Sequence, residues 1–342
     1  MSQRSPLLDA LGGEAGCERL SAEFYARVGG DPALRRLFPG KSLRCATEEF
    51  ASFLIQFLGG DEGRTQHRWW LSLRESHARF RIGASERAAW LKHMAATLEA
   101  AVPDEAARAA LGQFFTQSSS YVTGQPAERP IAQDLAARWA EQRALDELVG
   151  AIAAGDADNA IAAAPRFASR PSVFVGLLAR MMRSGHAGFQ NFTLEEVERD
   201  PSLGPRRFGG WTLLHFAAAA GCVEVVTLLL RSGTDPDLLD RGGHTPLYAV
   251  ANGCASPAGP AVVRALLAAG ADVNAADGVT RATPLHMAAR RDHVEIARAL
   301  LDGGAAVHAR DRKGDTPLRR ALNCRQPGVA ELLGARGPAG AR

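Results

Sequence analysis

The sequence predicts an all-α protein: a helical N-terminal domain, a helical middle region and a C-terminal array of helical repeats. Three observations carry this expectation. Four segments recur in register toward the C-terminus, and apolar residues return every three to four positions over much of residues 1–124. Ala is abundant, while only three Tyr occur among 342 residues, a balance that leans toward helix.

The repeats are read first because a fixed period determines architecture. Thr212-Leu213-Leu214-His215-Phe216-Ala217 is echoed by Thr245-Pro246-Leu247-Tyr248-Ala249-Val250, Thr283-Pro284-Leu285-His286-Met287-Ala288 and Thr316-Pro317-Leu318-Arg319-Arg320-Ala321. The threonines are spaced by 33, 38 and 33 residues. The first three segments lead into a second apolar stretch closed by Gly233, Gly270 or Gly304, and the longer second interval comes from the turn-rich run Cys254–Pro260. Proline after threonine pre-sets the first helical turn. The closing glycine ends the second helix in a left-handed conformation. A helix pair of this kind leaves an apolar face bare until a neighbour stacks on it. These segments resemble the ankyrin repeat, with its TPLHxA and LLxxGA signatures, over roughly residues 208–338. The resemblance implies protein recognition by an unknown protein partner. It also implies that His215 and His286 are structural, bonding backbone of the adjacent turn rather than a metal.

Residues 1–124 read as a compact helical domain. Leu20, Phe24 and Val28 recur at helical spacing, and so do Phe50, Phe53, Leu54, Phe57 and Leu58, ahead of Gly59-Gly60. Arg87 to Leu98 and Ala106 to Tyr121 predict two further helices, and Trp69 to Arg81 between them reads as irregular. Periodicity alone goes no further than a small α domain.

The motifs go further. Leu8-Asp9-Ala10-Leu11-Gly12-Gly13, Phe24-Tyr25, Leu37-Phe38-Pro39, Gln56-Phe57-Leu58-Gly59-Gly60, Ser76-His77-Ala78-Arg79-Phe80 and Ala89-Trp90-Leu91 follow one another in the order seen in group II truncated haemoglobins. The resemblance spans residues 7–122 and implies a two-on-two helical sandwich enclosing haem. Since no CxxCH motif is present, the haem would be non-covalent, type b. Carried over residue by residue, the resemblance makes His77 the iron ligand, with the opposite axial position open to a diatomic gas ligand. Tyr25 and Trp90 become hydrogen-bond donors on the distal side, against the ordinary alternative of buried rings with satisfied polar tips. Phe38 packs on the porphyrin at a corner where many relatives carry Tyr, Ala46 takes the distal gate and Phe50 the neighbouring position. Arg81 is either a haem-propionate partner or a solvated arginine, with Arg79 a weaker candidate. Trp69-Trp70-Leu71 replaces the Gly-His-Pro stretch common before the ligand. His67, His93 and His186 have no partner at ligand spacing and read as surface residues.

The expected organisation is a two-on-two truncated globin domain over 1–124, a linker and helical region over 125–207 that reads as a degenerate repeat or cap, and an ankyrin-repeat solenoid of about four repeats over 208–338. Gly124–Pro130 breaks the helical pattern, and Thr193-Leu194-Glu195-Glu196 reads as a capping box. The net charge of +3 comes without a Lys/Arg cluster, so no nucleic-acid partner is expected. Five scattered cysteines form no CxxC, no basic-then-apolar leader opens the chain and no apolar run is long enough to cross a membrane, so the expected setting is cytoplasmic. P-loop, GxSxG and HExxH motifs do not occur. Together these features point to a haem protein that binds oxygen, NO or CO and engages a protein through its repeats. A second reading is a peroxidase-like or NO-detoxifying redox enzyme; no reductase motif accompanies it, so it would need an external electron donor.

Overall fold

The computed structural model describes residues 5–38, 40, 42–60, 72–125 and 132–335. Residues 61–71 and 126–131 fall outside this set, and with them His67, Trp69-Trp70-Leu71 and most of the expected linker. The chain divides into two units, Met1–Ala151 and Ile152–Arg342. Both are helical, and the only strands among the described residues are a two-residue pair in the second unit.

In the first unit, α1 (Pro6–Ala10) leads into α2 (Gly13–Gly30), followed by α3 (Pro32–Arg35), α4 (Arg44–Phe57), α5 (Leu73–His77), α6 (Ala84–Ala101), α7 (Glu105–Val122) and α8 (Gln133–Ala154). The long helices α2 and α4 pack together, as do α2 with α6 and α6 with α7. The apolar stripe that defines α2 in sequence is the face it buries: Cys17, Leu20, Phe24 and Val28 are each at most 1% exposed. Leu54 and Ile55 of α4, Met94 and Leu98 of α6, and Leu111, Phe114 and Phe115 of α7 close on it. Each such side chain withdrawn from water contributes on the order of 1.5–3 kcal/mol. The Ser21 hydroxyl on α2 donates to the Thr47 carbonyl at 2.7 Å, fixing the height of α4 against α2. Leu135 and Trp139 of α8 belong to this same core.

The second unit begins with α9 (Ala157–Ala163), then α10 (Pro171–Arg183) and α11 (Ala187–Arg199). A hairpin pairs β1 (Arg207–Phe208) with β2 (Trp211–Thr212). Its tip, Gly209-Gly210, has φ of 58° and 88° at the two central positions, the left-handed conformation that a tight hairpin requires. Four helix pairs follow: α12 (Leu213–Ala220) with α13 (Val223–Arg231), α14 (Pro246–Gly253) with α15 (Gly259–Ala268), α16 (Pro284–Arg291) with α17 (Val294–Asp302), and α18 (Pro317–Asn323) with α19 (Pro327–Ala335). First helices stack on first helices and second on second throughout. The pair α10 and α11 stacks on α12 and α13 in the same manner, so the array begins one helix pair before the first clear TPLH-like segment.

Local chemistry repeats with the sequence. Thr212, Thr245 and Thr316 cap their helices by accepting the backbone N–H three residues on, at 3.4, 3.2 and 3.3 Å. Thr283 caps α16 in a box with His286. Gly233, Gly270 and Gly304 take φ of 85°, 93° and 91°, as the closing glycines should. One local expectation is overturned: Thr193 does not begin a helix. It lies inside α11, where its hydroxyl donates to the Phe189 carbonyl at 2.8 Å. The helix is capped instead by His186, whose Nδ1 accepts from Gly188 N–H at 3.2 Å. An i−4 back-bond inside a helix and an N-cap use the same Thr hydroxyl, and the buried Phe189 and Phe192 extend the helix upstream past the cap-like spacing.

A candidate haem site

The segment carrying His77 departs from its expected irregularity. Leu73–His77 forms a short helix whose N-cap, Ser72, accepts from Glu75 N–H at 3.1 Å. His77 closes it, half-buried, with Nδ1 2.8 Å from the Leu73 carbonyl one turn back and 2.9 Å from the Ser76 hydroxyl. A carbonyl only accepts, so Nδ1 carries the proton and Nε2 keeps its lone pair. Nε2 has no hydrogen-bond partner among the described residues. Burial pushes the imidazole below its ordinary range, and the Arg79 charge adds to that, holding the ring neutral. A neutral imidazole oriented through Nδ1 by a backbone carbonyl is the state a metal ligand needs.

The distal candidates meet in one aromatic cluster. Tyr25 packs edge-on against Phe24 at 5.2 Å, Phe38 at 5.8 Å and Phe50 at 6.2 Å between ring centroids. Trp90 packs on Phe24 at 5.2 Å and on Phe115 at 5.7 Å. Phe38 continues to Phe80 at 5.4 Å, and Phe80 to His77 at 6.3 Å. Tyr25, Phe38, Phe50, Trp90 and His77 are therefore linked through direct ring contacts, although they come from α2, the turn after α3, α4, α6 and α5. Ala46 stands one turn before Phe50 on α4, half-buried. Phe24, Phe80 and Phe115 complete the cluster. Their apolar spacing marks them only as core, so sequence reasoning does not single them out.

Two polar groups in this apolar setting stand out. The Tyr25 hydroxyl and the Trp90 indole N–H have no hydrogen-bond partner among the described residues. Burial, reinforced by the Glu49 charge, raises the Tyr25 phenol well above its ordinary range, so it remains a protonated donor. Both arginines are exposed, and Arg81 has no hydrogen bond to a described residue. The Arg79 guanidinium lies 4.7 Å over the Phe80 ring, and its charge acts on both Tyr25 and His77. Electrostatically it is Arg79, not Arg81, that reaches the cluster. His93, expected at the surface, is half-buried, with Nε2 2.7 Å from Asp31 at the start of α3.

The residues fit a haem. They offer one imidazole with a spare lone pair, an apolar aromatic surround and two unpaired donors. Among the described residues no group of three or more His, Cys, Asp or Glu could hold a metal ion alone. In the second unit the two histidines of the TPLH-like segments are committed elsewhere. His215 Nδ1 lies 2.7 Å from Thr212 Oγ1 and Nε2 donates to the His244 carbonyl at 2.9 Å. His286 repeats this, with Nδ1 2.9 Å from Thr283 Oγ1 and Nε2 3.0 Å from the Asp315 carbonyl. Each histidine ties one repeat to the loop of the next, as the resemblance implies.

Comparison with known proteins agrees with this architecture. The family model for bacterial-like globins matches residues 6–123, and the model for ankyrin repeats in three copies matches residues 182–277 and 254–339. Cyclin-dependent kinase 4 inhibitor B of Bos taurus is 38% identical over 127 residues, covering 37% of this chain and 93% of that protein. Ankyrin repeat and SOCS box protein 16 of Homo sapiens is 36% identical over 168 residues, covering 37% of this chain and 36% of that protein. The chain spans only 28% and 23% of two longer relatives, from Arabidopsis thaliana and Danio rerio. No helix among the described residues is long and apolar enough to cross a membrane. A globin implies haem-based gas binding, and ankyrin repeats imply protein–protein interaction. The chain belongs to the ankyrin-repeat proteins and carries at residues 6–123 a bacterial-like globin domain.

Proposed function

We propose that residues 1–124 bind haem b non-covalently through His77 and that the resulting site takes a diatomic gas (oxygen, NO or CO), in the manner of group II truncated haemoglobins. On this reading residues 208–338 engage a protein partner, residues 125–207 form a linker and a degenerate repeat that caps the solenoid, and the protein works in the cytoplasm. The observation that carries the reading is the state of the His77 ring: Nδ1–H is committed to the Leu73 carbonyl at 2.8 Å, and Nε2 has no hydrogen bond among the described residues. Haem bound there would supply an open coordination position for the gas. Tyr25 and Trp90 would supply the hydrogen bonds to it, while Phe38, Phe50 and Ala46 exclude water from the same space. Arg79 and Arg81 are the cations for the propionates, as guanidinium matches carboxylate geometry.

The test is a visible spectrum of the full chain loaded with haem, with and without oxygen, NO and CO. A spectrum of single-histidine ligation that responds to gas is expected. His77→Ala must abolish it; an unchanged spectrum in that variant would show the ligand assignment to be wrong.

A further inference from the structure

The short helix that ends in His77 is held at its start by a residue far along the chain. In a helix the first backbone N–H groups have no intrahelical acceptor and must find one elsewhere. In α5, Glu75 N–H is taken by Ser72 Oγ, while those of Leu73 and Arg74 donate to the two carboxylate oxygens of Asp146, at 2.9 and 3.3 Å. Asp146 lies on α8 and is only 6% exposed. Its other donors are Gln142 Nε2 at 3.0 Å and the Tyr121 hydroxyl from α7. Around it α8 is anchored: Trp139 packs edge-on against Phe114 at 5.7 Å and Tyr121 at 5.2 Å, and Arg138 donates to the Phe57 carbonyl at the end of α4 at 3.1 Å. Arg74 covers the Tyr121 ring at 3.9 Å.

The peptide groups flanking Leu73 connect the two ends of this arrangement. Its N–H points to Asp146, and its carbonyl takes the proton of His77 Nδ1. We propose that Asp146 is a positioning residue for His77: through Leu73 it fixes the place of α5 and the orientation and tautomer of the imidazole, making α8 a working part of the haem unit. This rests on the haem reading above. It goes beyond the globin match, which ends at residue 123, ten residues before α8 begins.

Outer partners of metal-bound histidines typically change metal affinity by about 10–100-fold when removed. The experiment compares the full chain, haem-loaded and ferrous, as wild type, Asp146→Ala, Asp146→Asn, the exposed neighbour Arg143→Ala, and His77→Ala. Three quantities are read: the iron–histidine stretching band in resonance Raman, haem loss to excess apomyoglobin, and amide hydrogen exchange at Leu73 and Arg74. Asp146→Ala is expected to shift and broaden the band, speed haem loss about tenfold or more and deprotect both amides, with Arg143→Ala matching wild type. Asp146→Asn, which keeps the volume and one oxygen acceptor, should fall between; it carries the test if the alanine variant does not fold. An iron–histidine band unmoved in both Asp146 variants overturns the proposal, even if haem loss accelerates, because a purely stabilising role would not move the band. A spectrum insensitive to His77→Ala would instead sink the haem reading itself.

Discussion

Tyr25→Phe separates a functional tyrosine from a structural one. The substitution leaves the ring, and hence its contacts with Phe24, Phe38 and Phe50 at 5.2, 5.8 and 6.2 Å, and removes only a hydroxyl that has no protein partner among the described residues. A hydrogen bond between protein groups would cost roughly 1 kcal/mol to delete, and more if the deletion stranded a buried partner. With no partner to strand, the haem-free chain should change by less than about 0.5 kcal/mol in stability. The ligand-bound state behaves differently. A donor to a partly charged acceptor in an apolar site contributes about 1.5–3 kcal/mol. At 1.4 kcal/mol per tenfold, oxygen should leave roughly 10–100 times faster from the variant. Because CO accumulates far less charge than oxygen, its dissociation should hardly change. Urea unfolding of the haem-free chain and stopped-flow displacement of each gas measure the two sides. The reasoning is refuted if stability falls by about 1 kcal/mol or more, the signature of a lost intraprotein hydrogen bond, or if oxygen dissociation is unaltered.

Trp90→Phe keeps ring packing on Phe24 and Phe115 but deletes the indole N–H, so oxygen dissociation should rise about tenfold with little change in the CO rate, read by the same stopped-flow assay. In the second unit, burial holds the His215 imidazole down at about 4, below its ordinary 6.5. The unfolded chain therefore takes up this proton first, and stability that is complete above pH 6.5 is lost as pH falls toward 4. The shift corresponds to about 3 kcal/mol, and urea midpoints at pH 7 and 4.5 should lie closer together in His215→Gln than in wild type. At Gly176 on α10 an added Cβ would sit 2.9 Å from the Phe208 ring, so Gly176→Ala should lower thermal stability by about 1–3 kcal/mol, whereas Gly150→Ala, with open space around it, should not; equal effects would discount the close approach.

The sequence makes some of this legible and hides the rest for physical reasons. The repeats are legible because they draw on the same local devices within a few residues: a threonine cap in all four, a proline at the first helical position in three, a histidine three residues on in two and a left-handed closing glycine in the first three. Asp240, Asp277 and Asp311, whose carboxylates gather the backbone N–H groups of the following loop, also recur ahead of Thr245, Thr283 and Thr316. That signal is present in the sequence but is overlooked when attention stays on the helices. The helix pair α10 and α11 is harder to see as part of the array, because it has no threonine–proline start; its stacking on α12 and α13 reveals it. In the first unit the aromatic residues can be read as core from spacing, but spacing cannot say that Phe80 bridges Phe38 to His77, since α5 is too short to have a period. The cap from Asp146 has no sequence signal at all, because its two ends are separated by 73 residues and meet only through the packing of α8.

The histidines show why residue identity carries so little and the second nitrogen so much. His215 and His77 both have a hydrogen bond at each position that local sequence can supply, from a threonine three residues before or a carbonyl one turn back. They differ in tautomer. The His244 carbonyl, which can only accept, forces the proton of His215 onto Nε2, and Nδ1 is then left facing Thr212 Oγ1 as acceptor. That ring has no lone pair to give a metal without breaking the tie between two repeats. The Leu73 carbonyl forces the opposite choice on His77 and leaves Nε2 with its lone pair and no protein donor among the described residues. A half-buried neutral imidazole in that state keeps a lone pair free for a ligand. The tautomer of His77 therefore depends on one backbone carbonyl, and the carboxylate that holds the N–H of the same residue is placed to govern it.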